Sequence, residues 1–474
     1  MLNPRSWLKR RVLRAVMKRD DARRQALGQT RGLPPQSWGA EVSPQGHLLI
    51  GGCDVVELAR EFGTPLYIVD EKKLRADYQR FIDGFRKFYP KTDVGYSYKT
   101  NPLPEAIRVL HDCGALAEGI SHFELWLALK LGVTPSNIIL NGPAKTPDAV
   151  DLAVARRIKL INIDSLHEIE IVAAAAARHG AKQPVGVRVV TSVGWQAQFG
   201  LRLHTGEVLR AFERIRQLPQ LVPIGLHVHL GTGLKHVPTY LEAIREMLEF
   251  ARQLETDTGV RLEYFDFGGG FGVPTVQPYE LWDTRLIQNN ECPGPVELNA
   301  APPIEEYARS ISALLREFYP GPFTPTIAFE PGRAITSSAQ SLLLQVLGVK
   351  TEQNGMTRAI LDGGKNCALP TGYEYHEILP SSRMNEPLSA PVTFHGPLCH
   401  PGDVLFVKKP FPQVIAGDFV SLMDAGAYFV PNQMNFSNPR PAAVMVKDGK
   451  AALIRRRESF DDIVQLDQPP WHPT

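Results

Sequence analysis

The chain of 474 residues is 43% hydrophobic and 22% charged, with a formal net charge of +2. This near-neutral balance gives no reason to expect nucleic-acid binding, and no apolar run approaches the ~20 residues that a membrane span needs. The five cysteines include no CxxC pair, which argues against a disulfide framework or a zinc site. We therefore expect a cytoplasmic globular protein that is long enough for two domains.

The N-terminal tail differs from the rest of the chain in its charge. Arginines and lysines recur from Arg5 to Arg31 and face only Asp20 and Asp21, while apolar residues between them recur close to the helical period. The pattern predicts either a basic amphipathic helix that contacts a membrane surface or an acidic partner, or a solvated tail. A proline-containing segment ends this tail, which we place at residues 1–37.

After residue 71, short apolar strands alternate with helices such as Phe123–Leu131 and Ile169–His179. Eight strand-plus-helix units predict a (β/α)8, TIM-like barrel over residues 71–335, and hence an α/β fold. We predict the strands near residues 93–98, 115–118, 137–141, 160–163, 184–190, 223–229, 263–267 and 326–329.

The pattern changes to strands and turns after the barrel. Strands between Ser341 and Arg455 predict a C-terminal all-β domain over residues 336–466. The N-terminal segment 38–70, with a helix at Val55–Phe62, is expected to join this domain in part through strands of residues 38–50.

Barrel enzymes place their chemistry at the carboxyl ends of the strands. Every predicted strand here ends in a polar, charged or glycine-rich segment, so we expect the active site at this face. In chain order the strand ends carry Lys99, Glu118, Asn141, Asp164, Arg188, His227 to Gly233, Asp266 to Gly272, and Glu330 to Arg333.

Several of these residues suggest chemistry, each with a plainer alternative. Lys99 could lose its proton by desolvation and attack an aldehyde, or be an ordinary surface lysine. The glycines of residues 268–270 let backbone N–H groups approach an anion, or form a tight turn. His227 and His229 share one strand face, but no further ligand joins them at metal-site spacing, so we predict no metal; His229 could instead stack on a planar ring. Glu330 would keep a pyridine nitrogen protonated.

Six motifs, in this order, resemble those of the fold-type III pyridoxal-phosphate decarboxylases, which include the diaminopimelate and ornithine decarboxylases. Each motif is weak alone, but together they span roughly residues 50–460 and are specific. The motifs are Tyr98-Lys99-Thr100-Asn101, His227-x-His229-Leu230-Gly231-Thr232, Asp266-x-Gly268-Gly269-Gly270-x-Gly272, Glu330-Pro331-Gly332-Arg333, Gly396-Pro397-Leu398-Cys399 and Asp424-Ala425-Gly426-Ala427-Tyr428.

The resemblance implies a lyase in which Lys99 holds pyridoxal 5'-phosphate as a Schiff base, His229 stacks on its ring and Glu330 pairs with its ring nitrogen. It implies that Cys399 enters the site of a partner subunit and protonates the carbanion after decarboxylation, and therefore that the enzyme is a homodimer with shared sites. Glu118 and Glu124 match acidic positions of the family and are given supporting roles. The residues implied around the cofactor phosphate are Thr232, Gly269, Gly270, Gly332, Arg333 and Tyr428.

The sequence departs from the family where the far end of the substrate is recognised. His400 follows the cysteine where diaminopimelate decarboxylases have glutamate and ornithine decarboxylases have aspartate. The stretch Ala368–Gly372 has neither the arginine nor the tyrosine of the diaminopimelate enzymes' Arg-Pro-x-x-Tyr segment.

We therefore expect an amino acid with an acylated, conjugated or acidic far end, free or carrier-bound, as in siderophore and other secondary-metabolite relatives. Its contacts are predicted at Arg333, His400 and Tyr428. A protonated His400 could meet a carboxylate, or the residue could simply face solvent.

Other functions stay open at this point. Diaminopimelate decarboxylation itself is one alternative. A racemase of the same fold is another, although racemases place arginine near the ring nitrogen, where Glu330 favours the stronger electron sink. A catalytically silent homologue that uses the basic tail to bind a partner would need neither Lys99 nor Cys399. A cofactor-free lysine aldolase would not explain Arg333 or the glycine run.

Overall fold

The computed structural model describes Arg11 and residues 32–279, 281–288, 301–353 and 355–468. Apart from Arg11, the predicted basic tail as far as residue 31 lies outside this part of the chain, so its expected contact with a membrane or partner stays a prediction. Among the described helices, none has the length and hydropathy required to cross a bilayer.

Eight parallel strands close into a barrel, which confirms the predicted fold. Each strand pairs with the next, and the eighth closes on the first with Phe329 opposite Val94. The bounds lie within two residues of the predicted ones, because each strand is a short buried apolar run. The strands are Thr92–Ser97, Leu116–Gly119, Ile138–Leu140, Leu160–Ile163, Gln183–Val190, Leu221–His227, Tyr264–Asp266 and Thr326–Phe329, with Leu201–Arg202 paired beside the fifth.

Helices cover the outside of the barrel. Two of them begin earlier than predicted because a serine caps each one: the Ser121 hydroxyl accepts from Glu124 N at 3.2 Å, and the Ser165 hydroxyl from Glu168 N at 3.3 Å. The helices are Glu71–Arg86, Pro104–Asp112, His122–Lys130, Pro147–Ala155, Leu166–Arg178, Glu207–Arg216, Val237–Thr258, Leu281–Gln288, Ile304–Phe318 and Arg333–Thr336.

A second, largely antiparallel sheet follows the barrel. Its middle contains a strand from before the barrel: Leu66–Asp70 pairs antiparallel with Gln340–Thr351 and parallel with Ala442–Lys447. The other strands after the barrel are Thr357–Leu361, Glu374–Tyr375, Ile378–Leu379, Pro391–His395, Val404–Pro410, Phe419–Leu422 and Lys450–Arg455, and a short helix, Phe460–Val464, comes last.

The strands near residues 38–50 do not pair with this sheet in the described chain, contrary to expectation. Glu41–Val42, Leu48–Ile50 and Cys53–Asp54 pair with one another instead. They are attached through side chains, because Trp38 and Leu48 belong to the same buried cluster as Leu66 and Val444. The helix Val55–Phe62 has its predicted bounds, with the Asp54 carboxylate accepting from Val56 N.

Aromatic side chains anchor the loop that follows the seventh barrel strand. Phe271 of this loop stacks on Tyr240, with ring centroids 4.9 Å apart, and meets the edge of Phe81 at 5.2 Å. The neighbouring Phe85 packs on Phe329 of the eighth strand at 4.0 Å. This packing fixes the glycine-rich loop against the barrel rim, where the candidate site lies.

Candidate active site

A cavity of about 340 Å³ opens at the carboxyl ends of the barrel strands. It brings together six of the predicted site residues, which come from four different chain segments, together with further side chains of the barrel and of the chain after it. The predicted residues that line it are Lys99, His229, Thr232, Glu330, Arg333 and Tyr428, and further lining side chains are Glu118, Asn141, Arg188, Trp195, Phe199, His227, Tyr373 and Glu374.

Lys99 lies in the turn Tyr98–Thr100 directly after the first strand. Its Nζ donates to Ser97 Oγ at 2.7 Å and to Glu118 Oε2 at 3.2 Å. Burial disfavours its charge, but the carboxylates of Glu118 and Glu330 outweigh burial and raise the pKa of Lys99 above its ordinary value. The expectation that desolvation removes the proton is therefore not met, because the sequence did not show how close these acids lie.

Glu330 accepts one hydrogen bond from Asn141, and His227 approaches its other oxygen without a hydrogen bond in the described chain. Asn141 Nδ2 donates to its Oε1 at 2.5 Å, and His227 Nε2 lies 3.4 Å from its Oε2. Burial alone would raise the pKa of this carboxyl, but His227 and Lys99 lower it below the usual range. Glu330 is therefore an anion at neutral pH.

His229 is neutral in this site. Gly269 N donates to its Nδ1 at 3.3 Å. Burial and the charge of Lys99 lower the pKa of His229 to about 3. An uncharged ring at the cavity wall is suited to lie against another planar ring.

Arg333 has a buried counter-charge and unused donors. Its Nη2 donates to Glu374 Oε1 at 2.5 Å, and the guanidinium lies 5.4 Å from the centre of the Tyr428 ring. Glu374 is brought there by a strand that pairs with Gln277–Pro278 of a barrel loop. In the described chain, Nε and Nη1 of Arg333 are buried without a hydrogen-bond partner. A cavity that offers two such N–H groups suits an anionic group such as a phosphate or carboxylate.

The predicted glycines lie behind the cavity wall and do not line it. A Cβ at Gly269 would lie 2.1 Å from the carbonyl oxygen of Glu330, and one at Gly332 would lie 2.0 Å from Thr100 Oγ1. Gly270 has φ +87°, and its Cβ would lie 2.2 Å from the carbonyl oxygen of Gly231. Glycine is needed here so that the loops after the sixth, seventh and eighth strands can approach closely.

Cys399 and His400 do not line the cavity of their own chain. Cys399 is exposed, on a loop held by the buried Asp403, whose carboxylate accepts from Leu398 N at 2.8 Å and from Lys365 N at 2.7 Å. His400 Nδ1 accepts from Gly402 N at 3.1 Å. The expected contact of His400 with a substrate carboxylate therefore stays a prediction.

Sequence reasoning missed Tyr373 and Glu374, both of which line the cavity. Tyr373 directly follows the stretch Ala368–Gly372, which the sequence analysis compared with the Arg-Pro-x-x-Tyr segment. Its spacing from Pro370 is that of the tyrosine in this segment. The tyrosine was therefore missed because it lies one residue beyond the compared stretch. In this alignment Leu369 takes the place of the arginine.

Trp195 and Phe199 were also missed, because they lie in an irregular loop with no periodic pattern. They form a stack in which Arg188 lies 4.4 Å from the Phe199 ring, Phe199 lies 6.1 Å from Trp195, and Trp195 lies 5.7 Å from His229. The stack covers one side of the cavity with apolar surface.

Comparison with known families agrees with this geometry. Residues 75–337 match the family model described as "Pyridoxal-dependent decarboxylase, pyridoxal binding domain". The chain belongs to the pyridoxal-dependent decarboxylases. This decarboxylase is therefore a pyridoxal-phosphate-dependent carboxy-lyase, and a lysine at the cavity wall, an anionic acid and a buried arginine with donors unpartnered in the described chain fit that cofactor.

Relatives of the decarboxylase cover nearly its whole length. The diaminopimelate decarboxylase of Methanothermobacter thermautotrophicus is 31% identical over 447 residues, which are 91% of this chain and 97% of that protein. The enzyme of the same name from Bacillus subtilis is 27% identical over 90% of this chain and 96% of that protein.

A solved structure of the diaminopimelate decarboxylase from M. jannaschii, in complex with L-lysine, has a TM-score of 0.82 and 26% identity, and covers 91% of this chain and 98% of that one. The expected closer likeness to siderophore-pathway enzymes is not supported, since these relatives are diaminopimelate decarboxylases.

Proposed function

We propose that this decarboxylase acts on meso-diaminopimelate and releases L-lysine and CO2. The observation that carries the proposal is the full-length similarity to enzymes named for that substrate. Tyr373, at the cavity wall and in register with the tyrosine of the Arg-Pro-x-x-Tyr segment, adds support from this chain.

Each predicted cofactor residue has a role that suits its surroundings. Bound pyridoxal phosphate supplies an electron-withdrawing ring that takes up the electron pair left when CO2 departs. Lys99 is our choice for covalent attachment, because it is the lysine that lines the cavity. Glu330, held as an anion, would keep the ring nitrogen protonated, and the neutral His229 would lie against the ring.

The remaining roles concern anions and water. The unpartnered N–H groups of Arg333 would bind the cofactor phosphate or a substrate carboxylate, together with Thr232 and Tyr428. The backbone N–H groups of Gly270 and Gly332 could contribute from behind the lining, whereas the N–H of Gly269 donates to His229. The Trp195–Phe199 stack would exclude water from the reacting carbon.

We propose that the proton returned to the substrate comes from Cys399 of a second subunit. Cys399 is exposed, and it is absent from the cavity of its own chain. A site completed by another copy would explain both facts, and it requires a homodimer.

A second candidate substrate is an amino acid with a different far end. Two positions favour it: His400 stands where diaminopimelate decarboxylases have glutamate, and Leu369 where they have arginine. A leucine cannot pair with a distal carboxylate, and loss of such a pair costs several kcal/mol of binding.

The test is CO2 release by cofactor-loaded protein from meso-diaminopimelate, ornithine, lysine, arginine, and distally acylated or citrylated diamino acids. We expect the highest kcat/KM with meso-diaminopimelate and one L-lysine formed per CO2. The Lys99→Ala variant serves as the blank. A conjugated amino acid preferred at least tenfold would overturn the proposed substrate in favour of the second candidate.

A further inference from the structure

Three ionisable side chains lie buried together at the cavity: His227 and Glu330 line it, and Asp266 is not part of the lining. Asp266 ends the seventh strand, His227 the sixth, and Glu330 follows the eighth, and their exposed fractions are 0%, 1% and 3%. One nitrogen or oxygen atom of each lies within 4.8 Å of those of the other two. Two buried carboxylates this close cannot both be ionised unless a cation lies between them.

The available donors decide which carboxyl carries the charge. Glu330 has Asn141 Nδ2 at one oxygen and His227 Nε2 near the other. Asp266 Oδ1 accepts from Gly268 N at 2.9 Å, whereas its Oδ2 has no donor in the described chain. An oxygen without a donor is best satisfied by carrying a proton itself, and an oxygen of the Glu330 carboxylate lies within 4.8 Å of the Asp266 carboxyl.

The wider surroundings agree with this assignment. Burial and the charge of Glu330, with a smaller contribution from Glu118, raise the pKa of Asp266 well above its usual range. Burial, with a contribution from Asp266, raises the pKa of the phenol of Tyr264 on the same strand. A phenol offers no positive charge that could stabilise an ionised Asp266. The groups that stabilise a negative charge in the site, His227 first and then Lys99, act on Glu330.

We propose that Asp266 is a neutral carboxylic acid that donates its proton to Glu330, and so acts as a positioning residue for that anion. Asp266 would thereby orient the Glu330 carboxylate toward the cavity. The competing arrangement is a metal ion held by His227, Asp266 and Glu330, which would require both acids to be ionised. The inference goes beyond the proposed function and does not depend on the identity of the substrate.

Infrared difference spectroscopy of the cofactor-loaded protein at pH 7 tests the protonation state directly. We expect wild type to show the carbonyl band of a protonated carboxylic acid, sensitive to D2O, that Asp266→Asn lacks. Asp164→Asn is the matched control, because Asp164 is buried at the end of the fourth strand but faces Arg188 at 3.5 Å. The proposal would be overturned if Asp266→Asn kept every carboxylic-acid carbonyl band of the wild type. A stoichiometric bound metal in the purified protein would overturn it as well.

Cofactor affinity, measured by titration with pyridoxal phosphate, tests the positioning role. Asparagine keeps an acceptor for Gly268 N and a donor toward Glu330, whereas alanine keeps neither. We expect Asp266→Ala to bind the cofactor at least tenfold more weakly than Asp266→Asn. Equal affinities would exclude the donor role, and the infrared result on Asp266→Asn stands even if the alanine variant does not fold.

Discussion

Arg333 and Glu374 form an ion pair that is buried on both sides, with 5% and 4% of the two side chains exposed. Removing the acid leaves a buried guanidinium unpaired, which costs on the order of 3–5 kcal/mol. We therefore expect Glu374→Ala to lower the free energy of unfolding by about that amount, as measured with urea.

The exposed pair between Arg245 and Glu317 provides the control for this change. Both side chains are about half exposed, and solvent screens such pairs so that they contribute little to stability. Glu317→Ala should therefore cost far less than Glu374→Ala. Similar losses in the two variants would show that the buried pair is not what stabilises this wall of the cavity.

Glu124 should make stability depend on pH. Burial, with the charge of Glu118, raises its pKa from 4.5 to about 7. The folded protein therefore binds a proton that the unfolded chain has lost, so the stability gained is fully present below pH 4.5 and falls as the pH rises through 7. At about 1.4 kcal/mol for each pH unit, the change is on the order of 3 kcal/mol.

The Glu124→Gln variant should remove this dependence, since glutamine resembles the protonated acid and can still accept from Ile120 N. Relative to wild type, it should be more stable at pH 8 than at pH 4.5, by urea unfolding at both values. If the difference in unfolding free energy between Glu124→Gln and the wild type were the same at both pH values, the raised pKa assigned to Glu124 would be contradicted.

At the residue scale, the sequence predicted which side chains matter better than it predicted their state. Lys99, His229 and Glu330 were predicted from strand ends and motifs, and all three line the cavity. The raised pKa of Lys99 could not be predicted, because Glu118 and Glu330 come from other strands whose distances no spacing in the sequence gives.

At the scale of elements, Asp403 joins two loops. Its carboxylate accepts one backbone N–H from the turn at Lys365 and one from Leu398, next to Cys399. In Asp403→Asn the side-chain NH2 group would face one of the two backbone N–H groups. One of the two hydrogen bonds is then lost, which costs about 1–3 kcal/mol of stability. We expect faster hydrogen exchange at Leu398 or Lys365, together with a lower kcat and retained cofactor. Unchanged protection at both amides would show that Asp403 does not hold this loop.

Elements that depend on local interactions were predicted well, and pairings that depend on contacts distant in the sequence were not. The barrel strands and the helix Val55–Phe62 were predicted closely, because local apolar runs and caps determine them. The pairing of residues 41–54 with one another was not, because strand partners are chosen by contacts across the chain. The barrel at 71–335 and the β domain at 336–466 remain our proposed division.

For the whole molecule, the proposed shared active sites predict that two defective subunits can complement each other. Lys99→Ala would remove the proposed attachment residue from one site, and Cys399→Ala would remove the thiol proposed to enter the neighbouring site. A co-expressed mixture should form heterodimers with one intact site, and recover about a quarter of wild-type activity for random pairing. Native mass spectrometry that shows heterodimers without recovered activity would contradict the shared site.

The cavity around Lys99 is where we propose that the decarboxylase holds its cofactor. Borohydride reduction of the loaded protein fixes a lysine-bound cofactor permanently, and peptide mass spectrometry then identifies the modified residue. We expect one pyridoxyl group per chain on Lys99, and none in Lys99→Ala treated in the same way. A pyridoxyl group found instead on a lysine outside the cavity lining, such as Lys145 or Lys365, would contradict this proposal.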